Sequence, residues 1–183
     1  MTTQRADARR NRSRVLEAAA VVFATQGVGA STEEVARAAG VGVGTVFRHF
    51  PTKEALLLAV YEARLAELAD EARALADADD AGAAFEDFFR AIVAGSGTKL
   101  AVVDALAAVG VDVRTTGQQH GLGAALRVLL TKAQAARRIR ADVGPADIMT
   151  LLAGTSRAVQ FAPTDDVRRR AVEVVLSGLR ISS

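Results

Sequence analysis

An all-α fold of about nine helices is predicted by three observations. Apolar residues recur at three- and four-residue spacing along nearly the whole chain. No stretch alternates apolar and polar residues as a half-buried strand does. Glycine, proline and capping residues interrupt the pattern at intervals one helix long. Half of the 183 residues are apolar and 24% are charged, enough to bury a core. The expected division is an N-terminal three-helix head, residues 10–56, and a helical body, residues 57–183.

The leader before Arg10 reads as disordered. A first helix then runs from about Arg10 to Thr25, with Val15, Ala19 and Val22 in one stripe and Leu16 and Phe23 beside it. Gln26-Gly27 stops it. Ser31 or Thr32 caps a second helix, and Glu33 and Glu34 fall in its first turn, where acidic charge suits the helix dipole. Val35, Ala36 and Ala39 form its apolar face. Gly40 ends it, because a tight C-cap needs a left-handed residue. Val41 plugs the corner, and Gly42 opens a short third helix, Val43 to His49, with Val46 and Phe47 on the inner side. Two short helices on a glycine turn make a helix-turn-helix over about residues 32–50. The outward side of its second helix carries Gly44, Thr45 and Arg48, with His49 at the end, groups suited to a groove rather than a core.

Pro51 disfavours helical geometry at Phe50, and Thr52 caps the next helix. That helix spans about Lys53 to Ala78, roughly 39 Å at 1.5 Å per residue. Leu57, Tyr61, Leu65, Leu68, Ala72 and Leu75 give it one long apolar face. A helix at about Ala81–Ala94 carries Phe85, Phe88, Phe89 and Ile92, and the AGSGT stretch parts it from another near Leu100–Val109. Residues 110–121, GVDVRTTGQQHG, are the least regular. Helices at about Leu122–Arg138, Pro145–Phe161 and Asp165–Ile181 follow, with Pro145 at a first helical position. The last two are apolar over more than one face, so they are the candidate homodimer interface, packed as a four-helix bundle about a two-fold axis.

Charge is unevenly spread. The net charge is +2, yet residues 1–53 alone carry +4 and the remainder −2. A basic end on a mildly acidic body is the footprint of a nucleic-acid binder with a second, non-binding part. The basic run Arg9 to Arg14 is placed to follow a phosphate backbone or enter a minor groove. No cysteine is present, which excludes disulfides and thiolate metal sites. No apolar run approaches the roughly 18 residues of a membrane span. The N-terminus has no apolar core, so it is not a secretory signal, and a cytoplasmic protein is expected. No paired carboxylates, histidine cluster or phosphate-cradling loop marks a catalytic or metal site. GVGVG resembles a glycine-rich loop, but no strand precedes it. The chain is therefore read as no enzyme, with no cofactor.

The run Thr32, Val35, Ala36, Gly40, Val41, Gly44, Thr45, Phe47, His49, Phe50, Lys53 and Glu54 resembles the DNA-binding segment of the TetR family of transcriptional regulators. The resemblance is strong over about residues 10–60. It implies a C-terminal helical domain for ligand binding and dimerisation, a double-stranded DNA operator of palindromic form, and a repressor released by a small-molecule effector. Carried onto this chain, the DNA-facing residues are Thr32, Gly42, Val43, Gly44, Thr45, Phe47, Arg48, His49 and Lys53. In the family the residue matching Phe47 is usually a tyrosine whose hydroxyl reaches phosphate, a group that Phe47 lacks. For the implied effector site, Phe85, Phe88, Phe89, Met149 and Phe161 are candidate lining residues, with His120 and Thr155 as polar groups. Few charged residues fall there, so a mostly apolar ligand is expected. The same contacts serve an activator equally well, and a dimeric helical interaction module without DNA binding is the other alternative.

Overall fold

The computed structural model describes residues 2–111, 113 and 121–181. Among them are nine α-helices and no strand: α1 (Thr2–Gln26), α2 (Thr32–Ala39), α3 (Val43–His49), α4 (Lys53–Leu75), α5 (Ala81–Ala94), α6 (Ser96–Ala108), α7 (Leu122–Ala135), α8 (Pro145–Ala158) and α9 (Asp165–Leu179). A 3-10 turn, Val159–Phe161, follows α8. No single helix among the described residues is long and apolar enough to cross a membrane. The chain divides into two compact units, residues 1–64 with 98–113 and residues 65–97 with 114–183.

The two largest boundary differences from the sequence expectation are at the starts of α1 and α6. α1 begins at Thr2, within the leader read as disordered. That leader, QRADARR, contains no glycine or proline, and the Asp7–Arg10 pair one turn apart supports the helix. α6 begins at Ser96, so only Gly95 interrupts the segment expected to be a longer break. Ser96 is buried, and its hydroxyl donates to the Val93 carbonyl at 2.7 Å, which anchors the new helix start to the old helix end. The irregular segment 110–121 lies mostly outside the described residues.

In the first unit, α1, α2 and α3 pack on the start of α4 and the second half of α6. Val15, Ala19, Val22, Phe23, Val35, Val46, Phe50, Leu56 and Leu57 form one buried cluster, which Val102 and Leu106 of α6 join. α2 and α3 have 8 and 7 residues, lengths at which a helix is marginal alone, so local chemistry must define their ends. Ser31 accepts the Glu34 backbone N–H at 3.2 Å, and the Ser31 N–H donates to the Glu34 carboxylate at 2.7 Å. Gly40 takes φ +64°, the left-handed conformation, and Arg14 of α1 donates to the Ala39 carbonyl at 2.7 Å. Thr52 accepts the Ala55 N–H at 3.1 Å and starts α4.

In the second unit, α5 packs on α7, α8 and α9. Phe85, Phe88 and Phe89 are fully buried, with Leu126, Leu129, Ile148 and Leu176. Thr164 accepts the Val167 N–H at 3.3 Å and caps α9. Ion pairs tie α9 to α5. Arg180 donates to Glu86 at 2.7 Å and 2.5 Å, and Arg90 bridges Glu86 and Glu173, each at 2.8 Å.

Candidate nucleic-acid interface

α3 is built to show one side outward. Val46 is fully buried and wedges the helix against α1 and α2. Phe47 does not share that inner side, contrary to the sequence reading. It is 41% exposed, and Val43, one turn earlier, is exposed with it. A seven-residue helix has one face to bury, and the 100° step from Val46 carries Phe47 off it. Gly42, Gly44 and Arg48 are exposed too, and Thr45 and His49 are half-buried.

The two glycines are informative. A Cβ at Gly42 or Gly44 would meet nothing within 4 Å. Gly42 has φ −72° and ψ 147°, open to any residue. Gly44 lies inside a helix, where glycine costs about 0.5–1 kcal/mol relative to alanine. Nothing in the head's own packing calls for a missing side chain at either site.

Flanking charges are fixed by the fold. Arg12 lies over the Phe50 ring at 5.0 Å, and the His49 ring sits 6.4 Å from it, so the end of α3 and the end of the basic run meet. Arg14 is committed to the Ala39 carbonyl. Arg12 and Arg14 therefore have structural partners that the sequence did not reveal, since both bonds close across the fold. Lys53 is half-buried at the first position of α4. Beside it the Glu54 carboxyl is held below the ordinary carboxylate range, first by a backbone N–H and then by Thr52, so a negative charge persists at that helix start. Thr32 is buried, and its hydroxyl donates to Glu33 at 3.4 Å. The Glu34 carboxyl is likewise held low, by the Ser31 backbone first and the Ser31 hydroxyl second.

The sequence-derived effector residues are scattered. Phe85, Phe88, Phe89 and Thr155 are buried within the second unit, Met149 is exposed, and Phe161 is 80% exposed. His120 lies outside the described residues. A groove of about 280 Å³ between α5 and α9 is lined by Val93, Ala94 and Val172 among arginines and Glu173. A more polar cleft of about 420 Å³ is walled by Glu86, Asp87 and four arginines. None of the sequence-derived effector residues lines either one.

Comparison with known proteins agrees with this architecture. Residues 15–60 match the family described as bacterial regulatory proteins, tetR family, and residues 80–181 match the transcriptional regulator SbtR-like C-terminal domain. A TetR transcription regulatory protein from Mycobacterium vanbaalenii is 42% identical, with 97% of this chain and 99% of that one covered and a TM-score of 0.76. A TetR transcriptional regulator from Streptomyces coelicolor is 33% identical over 94% of this chain and 99% of that one, also at a TM-score of 0.76. A TetR-family regulator from Pectobacterium atrosepticum, 24% identical over 97% of this chain and 98% of that one, shares the fold at a TM-score of 0.73. With a head that matches the family's regulatory domain, a body that matches one of its C-terminal domains and a whole-chain relative at 42% identity, this chain belongs to the TetR family of transcriptional regulators.

Proposed function

We propose that the chain is a cytoplasmic repressor that binds a palindromic operator as a homodimer and releases it when a small, mostly apolar molecule enters the body. The observation that carries the DNA reading is the bare start of α3, where Gly42 and Gly44 are open to the outside with no internal reason to lack side chains. A helix start without side chains seats close to base edges in a major groove. Thr45 and Arg48 read bases, while Phe47 and Val43 make apolar contact. His49 and Lys53 hold phosphate, and Thr32 contributes its backbone N–H at the start of α2. Residues 10–56 supply this head and residues 57–183 the ligand-binding and dimerising part.

Dimerisation through α8 and α9 is supported by what those helices leave uncovered. Met149 on α8, Phe161 after it and Val174 on α9, 70% exposed, are large apolar groups facing water in the single chain. A two-fold axis there sets two heads on one duplex, with half-sites one or more turns of about 34–36 Å apart. Phe161 and Met149 then serve the dimer face, and Phe85, Phe88, Phe89 and Thr155 remain with the interior. The test is selection of bound duplexes from a random pool, with molar mass measured in solution. The expected result is an inverted repeat bound by a dimer. A monomer, or bound sequences without two-fold symmetry, overturns the reading.

A further inference from the structure

The first turns of α1 project beyond the head core. Val15 is the first buried residue of the described part of the helix, and Asp7, Ala8, Arg9, Arg10, Arg12 and Ser13 before it are exposed. Alanine is the only apolar residue type in 6–13, so the stretch has no stripe with which to join a core. It carries three arginines against one aspartate, and that aspartate pairs with Arg10. Arg14, one turn beyond Arg10, donates to the Ala39 carbonyl, so this face of α1 is turned to the end of α2. Arg9 and Arg12 stand one turn apart on the nearly opposite face, at 3.6 residues per turn. Neither pairs with a carboxylate among the described residues. The Arg12 guanidinium lies over the Phe50 ring at 5.0 Å, and the His49 ring is 6.4 Å from the same ring. Phe50 directly follows α3. The Arg9–Arg12 face is thereby fixed beside the end of the helix that carries Thr45 and Arg48.

We propose that this part of α1 is a phosphate rail: Arg9 and Arg12 bind the sugar-phosphate backbone of the duplex that α3 enters, and they read no bases. The inference rests on the DNA reading above and adds to it a surface that carries affinity without sequence. Charge selects the ligand. Exposed guanidinium groups without a carboxylate, set beside a recognition helix, match phosphate, which each can take through two N–H groups. Shape selects the mode. A basic segment threads a minor groove only if it fits there, and that groove is about 6 Å wide. An α-helix with its side chains is about 10–12 Å across. α1 is helical from Thr2, so the segment cannot enter as an extended arm does and lies along the phosphates instead. Stacking on Phe50 holds the Arg12 side chain toward the end of α3 without using its N–H donors, which leaves them for phosphate oxygens. A complex with two heads has the rail twice.

The competing account is a solvated basic helix that touches nothing, its charges serving solubility. Salt titrations of duplex binding by the full chain separate the two. They use one duplex recovered by selection from a random pool and one random duplex of equal length. Each phosphate contact contributes about 0.9 to the slope of log affinity on log salt. Arg9→Ala and Arg12→Ala are therefore each expected to lower the slope by about 2 in a complex with two heads, so that about tenfold less affinity is lost between about 50 and 200 mM salt. Each is expected to weaken the selected and the random duplex by the same factor. Arg9→Lys and Arg12→Lys keep the slope. Changing A·T pairs to G·C beside the selected site leaves affinity as it was, because backbone contacts do not sense the base. A slope unchanged by either alanine substitution overturns the proposal. Arg12→Ala that melts lower with its slope intact is that case, an arginine that only covers Phe50. An A·T preference beside the site that Arg9→Ala abolishes also overturns it, since the arginine then reads a minor groove. A chain that binds neither duplex brings down the DNA reading as well, whereas binding with unchanged slopes removes the rail alone.

Discussion

The DNA-facing head and the helical body are stabilised by different means. In the head, two helices of 8 and 7 residues bury little each, and their ends are set by single bonds: the Ser31–Glu34 box, the left-handed Gly40, and Arg14 on the Ala39 carbonyl. In the body, helices of about four turns bury three fully enclosed phenylalanines and close with an ion-pair clamp between α5 and α9. The contrast follows from length. A short helix cannot outweigh its ordering entropy by burial, so its caps decide whether it forms at all, whereas a long amphipathic helix has area to spare. It also separates roles. Val46 carries the burial of α3, while Val43, Phe47 and Arg48 stay exposed and add little to the head core.

The largest expected effect tests the body. Phe88→Ala removes a ring with 1% exposure and should cost about 3–5 kcal/mol in urea unfolding. A loss below about 1 kcal/mol would mean that the phenylalanines do not carry this core. Arg48→Ala sharpens the other side of the contrast. It should leave the unfolding midpoint alone and weaken specific duplex binding by about 1–3 kcal/mol. Equal weakening on specific and random DNA would reassign Arg48 to phosphate. Gly40→Ala places a Cβ in the left-handed region and 2.9 Å from the Arg14 guanidinium, for a cost of roughly 1–2 kcal/mol. Adding Arg14→Ala should change that cost rather than simply add to it, and strict additivity would uncouple the pair.

Ser31→Ala should cost about 1 kcal/mol in the head, since it leaves the Glu34 N–H at the start of α2 without its acceptor. The same substitution at Thr164 should cost less if burial governs the body. The smallest effect is a pH dependence of the α5–α9 clamp. Glu86, held low chiefly by Arg180, and Glu173, held low chiefly by Arg90, both have folded values below the ordinary 4.5. Their contribution is complete above that value and drains as pH falls through the lowered folded values, because the unfolded chain takes up protons first. Unfolding measured across that window should lose stability less steeply in Glu86→Gln than in wild type. Parallel curves would leave the clamp without a measurable part, as many exposed ion pairs are.

Much of the head was legible because its signals are local. Ser31 with Glu34, Gly40, Gly42, Thr52 and Pro51 punctuate the chain within a turn of the structure they specify, and both ends of α2 and α3 and the start of α4 fall at them. Pro145 and Thr164 did the same for α8 and α9. What failed was weaker local evidence. The leader carries no apolar stripe and was read as disordered, and Ser96-Gly97 looked like a break although the helix runs through it. Phe47 was misplaced because apolar character alone does not say which side of a short helix faces the core.

From residue types and spacing alone the chain dictates an all-α fold, where most helices begin and end, which residues of each can be buried, and a basic head. Those are properties of the backbone and of contacts within one or two turns. Tertiary structure alone decided that Arg14 closes the end of α2 across 25 residues, that Arg180 reaches Glu86 across 94, that the second half of α6 joins the head, and that Arg12 lies over Phe50. Helical periodicity sets the face on which a side chain stands. Which other face it meets depends on how distant segments pack, and that information is not carried by any one stretch of the chain.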